Sequence, residues 1–338
     1  MRVTVIGAGV AGLTCATELL KRGAEVTVVD RACDLGPASC SWWAGGMLAP
    51  WCEGESAEDE VVRLGEAAAD WWAQHAGGVT RRGTLVLAPA RDSGELKRFA
   101  RRTTQHEAVD AAMIGELEPD LAGRFRQGLL FSGEAHLDPR AATAALAERL
   151  AAGGAVLRFG TDARHAPQGD VTVDCRGLAA RPALPELRGV RGEMLVLRCR
   201  ALAISRTVRL LHPRIPVYLV PRGVGIYMLG ATMIESASRS PVSARSLMEL
   251  LNAAYALHPA FGEAEVMEIG VDARPAFPDN LPRAWRDGDT VHVNGLYRHG
   301  FLLAPAMARR AAALVFGEQA DGENEEGRDA HRLERQTL

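Results

Sequence analysis

Three glycines near the amino terminus stand at the spacing G-x-G-x-x-G, in Gly7-Ala8-Gly9-Val10-Ala11-Gly12, and Asp30 follows Gly7 by 23 residues. These types at this spacing can hold a dinucleotide. The first glycine permits a tight turn, the second lets backbone approach a pyrophosphate, and the third lets a helix pack closely on a strand. The helix that opens there turns unpaired N–H groups and the positive end of its dipole toward the phosphates. An acidic residue about 20 positions on accepts hydrogen bonds from ribose hydroxyls. Asp30 fills that role, and Arg31 beside it belongs to the same candidate set. The bare motif also describes a glycine-rich turn with no ligand, so its context decides. The motif does not separate NAD from FAD. Its position near the start of the chain, and a second glycine-rich apolar loop at Ala44-Gly45-Gly46-Met47, favour a tightly held flavin.

The elements around the motif are those it needs. Val3–Ile6 is a β-branched apolar run, and Leu13, Ala16, Leu19 and Leu20 then recur on one helical side until Gly23. Glu25–Val29 reads as a second strand, which completes a βαβ start. Leu35–Pro50, rich in Gly, Ser, Ala and Pro, reads as a loop; Ala57–His75 and Pro139–Ala152 read as helices. Strands are expected at 85–88, 155–159 and 171–174, then at 194–197, 208–211, 218–220 and 226–229. Ser243–Leu257 reads as a helix, Glu265–Arg274 as extended chain, Thr290–Asn294 as a strand and Ala304–Phe316 as a closing helix. Residues 319–338 are charged and nearly free of apolar side chains, the composition of a disordered tail.

Bulk properties narrow the class. The 338 residues are 47% hydrophobic and 24% charged, with a net charge of −3. That is enough apolar material for two cores, and it gives no basic footprint for nucleic acid. No apolar run is long enough to span a membrane, and the chain enters a strand at once, which leaves no room for a signal peptide. Six cysteines without C-x-x-C or zinc spacing read as reduced thiols, so a cytoplasmic enzyme with no metal is expected.

Several stretches resemble the D-amino-acid oxidase family of flavoproteins, and within it the glycine oxidases of the thiamine pathway. They are Val5–Gly12, Ser41–Pro50, Val217-Tyr218-Leu219-Val220-Pro221-Arg222, Gly230-Ala231-Thr232, Ala273-Arg274-Pro275 and Gly295–Pro305. The first is generic; the second and last are specific to glycine-oxidase-like members. The resemblance runs from residue 2 to about residue 317. It implies an α/β fold in which a Rossmann-like FAD-binding domain is intertwined with a mixed-sheet α+β substrate domain. The expected division is residues 1–80, 136–182 and 289–317 for FAD, residues 81–135 and 183–288 for substrate, and a disordered tail at 318–338.

The same resemblance implies a chemistry: oxidation of a small amino acid or amine at the carbon beside nitrogen, with oxygen as acceptor. The imine product then hydrolyses to glyoxylate and ammonia, or passes to a thiazole synthase. Such a reaction asks the protein for orientation and electrostatics rather than strong acid–base catalysis. Arg274 matches the arginine that binds the substrate carboxylate, and Tyr218 its hydroxyl partner. An arginine fork suits a carboxylate because it pairs through two parallel bonds. By type alone Arg274 equally fits a surface ion pair and Tyr218 a half-buried strand aromatic. Arg298 lies near the substrate in this comparison, and Leu296, Tyr297, Arg298, His299, Gly300, Phe301 and Leu302 line the flavin; His299 reads as a loop histidine with no ionic role. Ala44, Gly45, Gly46 and Met47 match the loop along the flavin ring, Ser39 and Ser41 donate to the pyrophosphate, and Cys175 and Gly177 pass the adenine half. No cysteine matches a covalent attachment point, so non-covalent FAD is expected.

Two departures stand out: a short polar connection between Phe159 and Val171, and the charged tail. Substrate alternatives stay open as sarcosine, a D-amino acid or a cyclic amine, as does a dehydrogenase of the same fold or a non-catalytic flavin-binding module. Oligomeric state stays open too, a homo-oligomer included.

Overall fold

The strand Arg2–Ile6 emerges as the centre of a six-stranded sheet. The structure, a computed structural model, describes residues 1–212 and 216–318. The spatial order in this sheet is Arg283–Asp287, Thr290–Asn294, Val171–Asp174, Arg2–Ile6, Glu25–Val29 and Val156–Arg158. All pairings are parallel except the first, which is antiparallel. Strands covered on both faces must be apolar throughout, and Val3, Val5, Val26, Val28, Val171 and Val173 are buried accordingly. Helix Val10–Lys21 packs on helix Gly300–Phe316. The chain steps from Arg2–Ile6 to Glu25–Val29 on one side and to Val171–Asp174 on the other. The order therefore reverses at the carboxyl end of the central strand, where such sheets bind ligands; Gly7 begins there.

The second sheet has nine strands. Its order is Ile234–Glu235, Arg188–Arg198, Ile226–Gly230, Val217–Pro221, Thr207–Leu210, Thr84–Leu87, Gln127–Phe131 and Glu107–Asp110, with Glu265–Ala276 on the other edge of Arg188–Arg198. It is mixed, because Thr207–Leu210 and Thr84–Leu87 run parallel while their neighbours are antiparallel. Helix Ala244–Leu257 buries Leu250, Ala253, Ala254 and Leu257 against Leu195, Leu197 and Leu229 of this sheet. A two-stranded ladder, Met47–Leu48 with Ala135–His136, ties down the glycine-rich loop.

Several expectations are corrected. Residues 283–287 belong to the first sheet, not the second: the two-residue loop Gly288-Asp289, with Gly288 at φ +58, turns a hairpin that returns the chain as Thr290–Asn294. Glycine at the first position of a two-residue loop is a hairpin signal, and it went unread. The helix expected over 57–75 is two, Asp59–Gly65 and Ala68–His75. Gly65 is the last residue of the first, and a Cβ there would lie 2.8 Å from Leu302 Cδ1. The strand expected over 194–197 spans Arg188–Arg198, because its polar positions are satisfied internally: Arg191 and Glu193 form a buried pair at 2.6 Å. Residue 318, assigned to the expected tail, is held by the fold. Glu318 still donates its N–H to Ala313 and pairs with Arg22, and 319–338 lie outside the described residues. Helices Ser93–Arg102 and Ala111–Leu117, with the strands near them, were not read from sequence.

The closing helix starts at Gly300, four residues before its expected start, and carries Pro305 inside it. Proline there removes the N–H that would bond to the Phe301 carbonyl. Trp72 supplies the missing donor, its Nε1–H reaching Phe301 O at 2.7 Å. Trp72→Phe should therefore cost about 1–3 kcal/mol of stability, the cost of an unsatisfied buried acceptor, read as a lower denaturant midpoint. A midpoint unchanged from the parent would show that the carbonyl finds water instead.

Candidate active site

A cleft of about 1300 Å³ opens at the reversal point and is lined from both sheets. At one end Gly7 takes φ +106, and a Cβ there would meet the Cys175 carbonyl at 2.7 Å. Gly12 does not line the cleft; a Cβ on it would collide with the Gly7 carbonyl, so its role is close packing. Asp30 Oδ2 accepts the Ala8 N–H at 2.7 Å and Oδ1 the Ala32 N–H at 2.8 Å. These bonds fix the carboxylate at the cleft wall with lone pairs left for ribose hydroxyls. Ala8, Val10, Ala11, Arg31, Cys175 and Gly177 line the same end.

Next along the cleft, Ser41 Oγ accepts the Val10 N–H at 3.0 Å, and Ser39 Oγ accepts the Ser41 N–H at 3.3 Å. Both hydroxyl oxygens lie 3.3 Å from the place a Gly9 Cβ would take. Serine hydroxyls, backbone at Gly9 and a helix N-terminus thus converge on one point. That is a setting for a diphosphate.

The far end is built from two loops. Ala44, Gly45 and Met47 face Leu296, Tyr297, Arg298, Gly300 and Phe301, while Gly46, His299 and Leu302 line a small adjoining cavity. Arg222, just after the strand Val217–Pro221, holds the first loop by donating to Gly45 O at 2.7 Å and Ala44 O at 3.3 Å, and donates to Leu137 O at 2.9 Å. Sequence reading quoted Arg222 within a motif but gave it no role. Its neighbours explain it: buried carbonyls need a multidentate donor.

Arg274, on Glu265–Ala276, and Tyr218, on Val217–Pro221, enter this end from the second sheet. Gly192 makes room for the arginine, since a Cβ on it would overlap the Arg274 guanidinium; Gly45 and Gly230 make room for the Tyr218 ring. Arg274 makes one long contact, to Thr232 O at 3.4 Å, and no ion pair among the described residues. Burial pushes the Tyr218 hydroxyl's pKa up, so it stays a neutral donor.

Arg298 is differently placed. Its Nη2 lies 2.9 Å from Glu53 Oε2 and donates to Ser56 Oγ at 2.6 Å. Glu53 also meets Arg209 Nη1 at 3.2 Å through Oε1, and His299 Nδ1 at 3.5 Å through Oε2. Sequence reading missed Glu53 and Arg209, which lie 156 residues apart and follow no local pattern. Burial alone would raise the Glu53 pKa, but Arg298 and Arg209 outweigh it and hold it at about 2. Burial lowers the His299 pKa to about 4, against the pull of Glu53.

The His299 shift has a stability consequence. The folded state keeps His299 neutral while the unfolded chain binds a proton below about pH 6.5. Its contribution is therefore present above pH 6.5 and is lost as pH falls toward 4. Between pH 6.5 and 5 that amounts to about 2 kcal/mol. His299→Asn should flatten the acid loss of stability by that order, measured as urea midpoints at pH 7 and 5. Parallel pH profiles for parent and variant would refute it.

The donors present fit FAD along the whole cleft. Gly7, Gly9 and Asp30 would hold the adenosine and the phosphates, Ser39 and Ser41 the diphosphate, and the Ala44–Met47 and Leu296–Phe301 loops the ring. At about 1300 Å³ the cleft exceeds an ordinary small-ligand site. No group of three or more metal-ligating side chains gathers among the described residues, and none of their helices is long and apolar enough to cross a membrane.

Comparison with known proteins agrees with this reading of the cleft. The family profile described as "DAO: FAD dependent oxidoreductase" matches residues 2–314. A Rhizobium etli protein whose name assigns it, provisionally, to thiamine biosynthesis as the oxidoreductase ThiO is 58% identical over 324 residues, covering 96% of this chain and 99% of its own. A glycine oxidase of Pseudomonas aeruginosa is 27% identical, covering 94% of this chain and 95% of its own. The crystal structure of glycine oxidase from Geobacillus kaustophilus superposes with a TM-score of 0.80 at 22% identity, over 95% of this chain and 96% of that one. With its cleft, its fold and nearly its whole length matched, this chain belongs to the DAO family of FAD-dependent oxidoreductases.

Proposed function

We propose that this enzyme oxidises glycine or a similarly small α-amino acid at Cα, forming the imine with release of hydrogen peroxide, and that the imine feeds thiazole formation for thiamine. The observation that carries the reading is Arg274, an arginine without an ionic partner among the described residues, facing the ring end of the cleft. A guanidinium left unpaired in a cofactor cleft is a ready carboxylate receptor. Bound FAD supplies the two-electron acceptor, which oxygen then regenerates.

The chain's own residues do the rest. Arg274 takes the substrate carboxylate through its fork, and the neutral Tyr218 hydroxyl donates a further hydrogen bond to it. Together they fix the direction in which Cα presents its hydrogen. Arg222 clamps the Ala44–Gly45 carbonyls and so keeps that wall of the site in place. The names of the Rhizobium and Pseudomonas relatives support both the pathway and the substrate class. A panel of glycine, sarcosine, alanine and proline enantiomers, run on the purified yellow protein with peroxide detection, tests the reading. Glycine turnover with stoichiometric peroxide is the expected result. Turnover without peroxide would point to a dehydrogenase, and no turnover of any amino acid would overturn the proposal.

A further inference from the structure

A single turn of 3-10 helix, Cys40–Trp43, sits where the two sheets meet. On one side it packs against helix Pro139–Ala152, which itself packs on Val10–Lys21 and Val156–Arg158 of the first sheet's layer. On the other it packs against Glu265–Ala276 of the second sheet. Trp42 and Trp43 line the cleft, whereas Arg140, in the first turn of the helix, does not. The Arg140 guanidinium backs both indoles, 4.4 Å from the centre of the Trp42 ring and 5.5 Å from that of Trp43. Its Nε donates to the Trp42 carbonyl at 3.3 Å. Its Nη1 and Nη2 donate to the two oxygens of Glu268 at 2.8 and 2.7 Å. Two residues along the same strand, Gly270 leaves room for the Trp43 ring; a Cβ there would collide with it.

We propose that Arg140 is a positioning residue for the cofactor: joined to Glu268, it holds the Ser39–Ala44 turn between the two sheets, and tight FAD binding depends on that hold. The proposal concerns the cofactor and goes beyond the amino-acid reading above.

The turn has few bonds of its own. Short 3-10 segments have poor hydrogen-bond geometry, and the Ser39 cap contributes one contact, to the Ser41 N–H. Yet the turn carries Ser41, whose hydroxyl accepts the Val10 N–H at the diphosphate seat, and it leads directly into Ala44 and Gly45 beside the ring. Arg222 fixes the carbonyls of Ala44 and Gly45, and Arg140 fixes the residues just before them. Arginine suits the place because one planar group can stack on an indole and fork to a carboxylate together. The Arg140 and Glu268 side chains are 27% and 38% exposed, so the ion pair alone would hold little. The stack and the carbonyl bond add to it. A seat already in place spares the ligand the cost of ordering it on binding.

The test separates cofactor positioning from plain stability. Flavin released on dilution of the full-length holoenzyme gives the FAD dissociation constant, and urea unfolding of the same samples gives the stability. Arg140→Ala should weaken FAD binding roughly 3-fold to 30-fold, the range of a partly desolvated cation–π contact. Arg140→Lys should recover little of this, because an ammonium cannot stack and fork at once. Glu268→Gln should weaken binding in the same direction by less. Combined with Arg140→Ala it should add less than its separate effect, since the two side chains act through one contact.

Parental FAD affinity in a folded Arg140→Ala, with only the urea midpoint lowered, would make Arg140 a strut of the fold and overturn the proposal. Full recovery by Arg140→Lys would overturn it too. If Arg140→Ala does not fold, Glu268→Gln decides, and an unchanged FAD dissociation constant there overturns the proposal. None of these readouts needs turnover, so a failure of the amino-acid reading would be seen separately.

Discussion

Arg274→Ala should lower kcat/KM for the amino-acid substrate by roughly 30-fold to several-thousand-fold while the protein keeps its FAD. A desolvated two-pronged contact with a carboxylate loses about 2–5 kcal/mol when one partner is truncated, and each 1.4 kcal/mol is about a factor of ten. An exposed ion pair would be worth at most about 1 kcal/mol. The arginine has no ion pair to lose in the free protein, so the folded state should hardly notice the change. The loss should fall on both KM and kcat, because the fork anchors the carboxylate and also aims Cα. An amine substrate without a carboxylate should be almost insensitive. Arg274→Lys should recover little, since an ammonium cannot reproduce the fork. Near-parental kcat/KM in a flavin-loaded Arg274→Ala would falsify the clamp.

Gly9→Val should weaken FAD binding by roughly 5-fold to 150-fold while leaving the apoprotein folded. The new Cβ would stand 3.3 Å from the hydroxyl oxygens of both Ser39 and Ser41, closer than ordinary contact. Its two methyls must then displace the serines or project toward the cleft. Ser41 also caps the Val10 N–H, so its movement loosens the turn that faces the phosphates. Overpacking of this kind costs about 1–3 kcal/mol, which sets the range of affinities given. Flavin released on dilution, measured by its fluorescence, reads the effect. Full flavin occupancy at sub-stoichiometric FAD would show that the Gly9 turn faces away from the cofactor.

Part of this protein was legible in its sequence because the physics there is local. A tight turn, a helix start and an acid at the end of the next strand lie within 23 residues of Gly7, so spacing and the flanking elements together announce the dinucleotide turn. Apolar β-branched runs marked Thr290–Asn294 and Val171–Asp174 to the residue, and Pro139 at a helix's first position marked Pro139–Ala152. Arg274 and Tyr218 were reached through resemblance, and the fold brings both to one end of the cleft.

What the sequence did not carry was decided by partners far along the chain. The start of the helix Gly300–Phe316 was hidden by Pro305, a residue that reads as a helix breaker, because the donor that repairs the break comes from Trp72. The full length of Arg188–Arg198 was hidden by charges that pair with each other only once the strand is extended. Glu53 sits in a four-residue helix with no periodicity to read, and it becomes an active-site acid only when Arg209 and Arg298 arrive from other elements. Spacing along the chain encodes turns, caps and faces. Which buried charge meets which is a property of tertiary packing, because a desolvated ion is held only by partners that the whole fold brings to it.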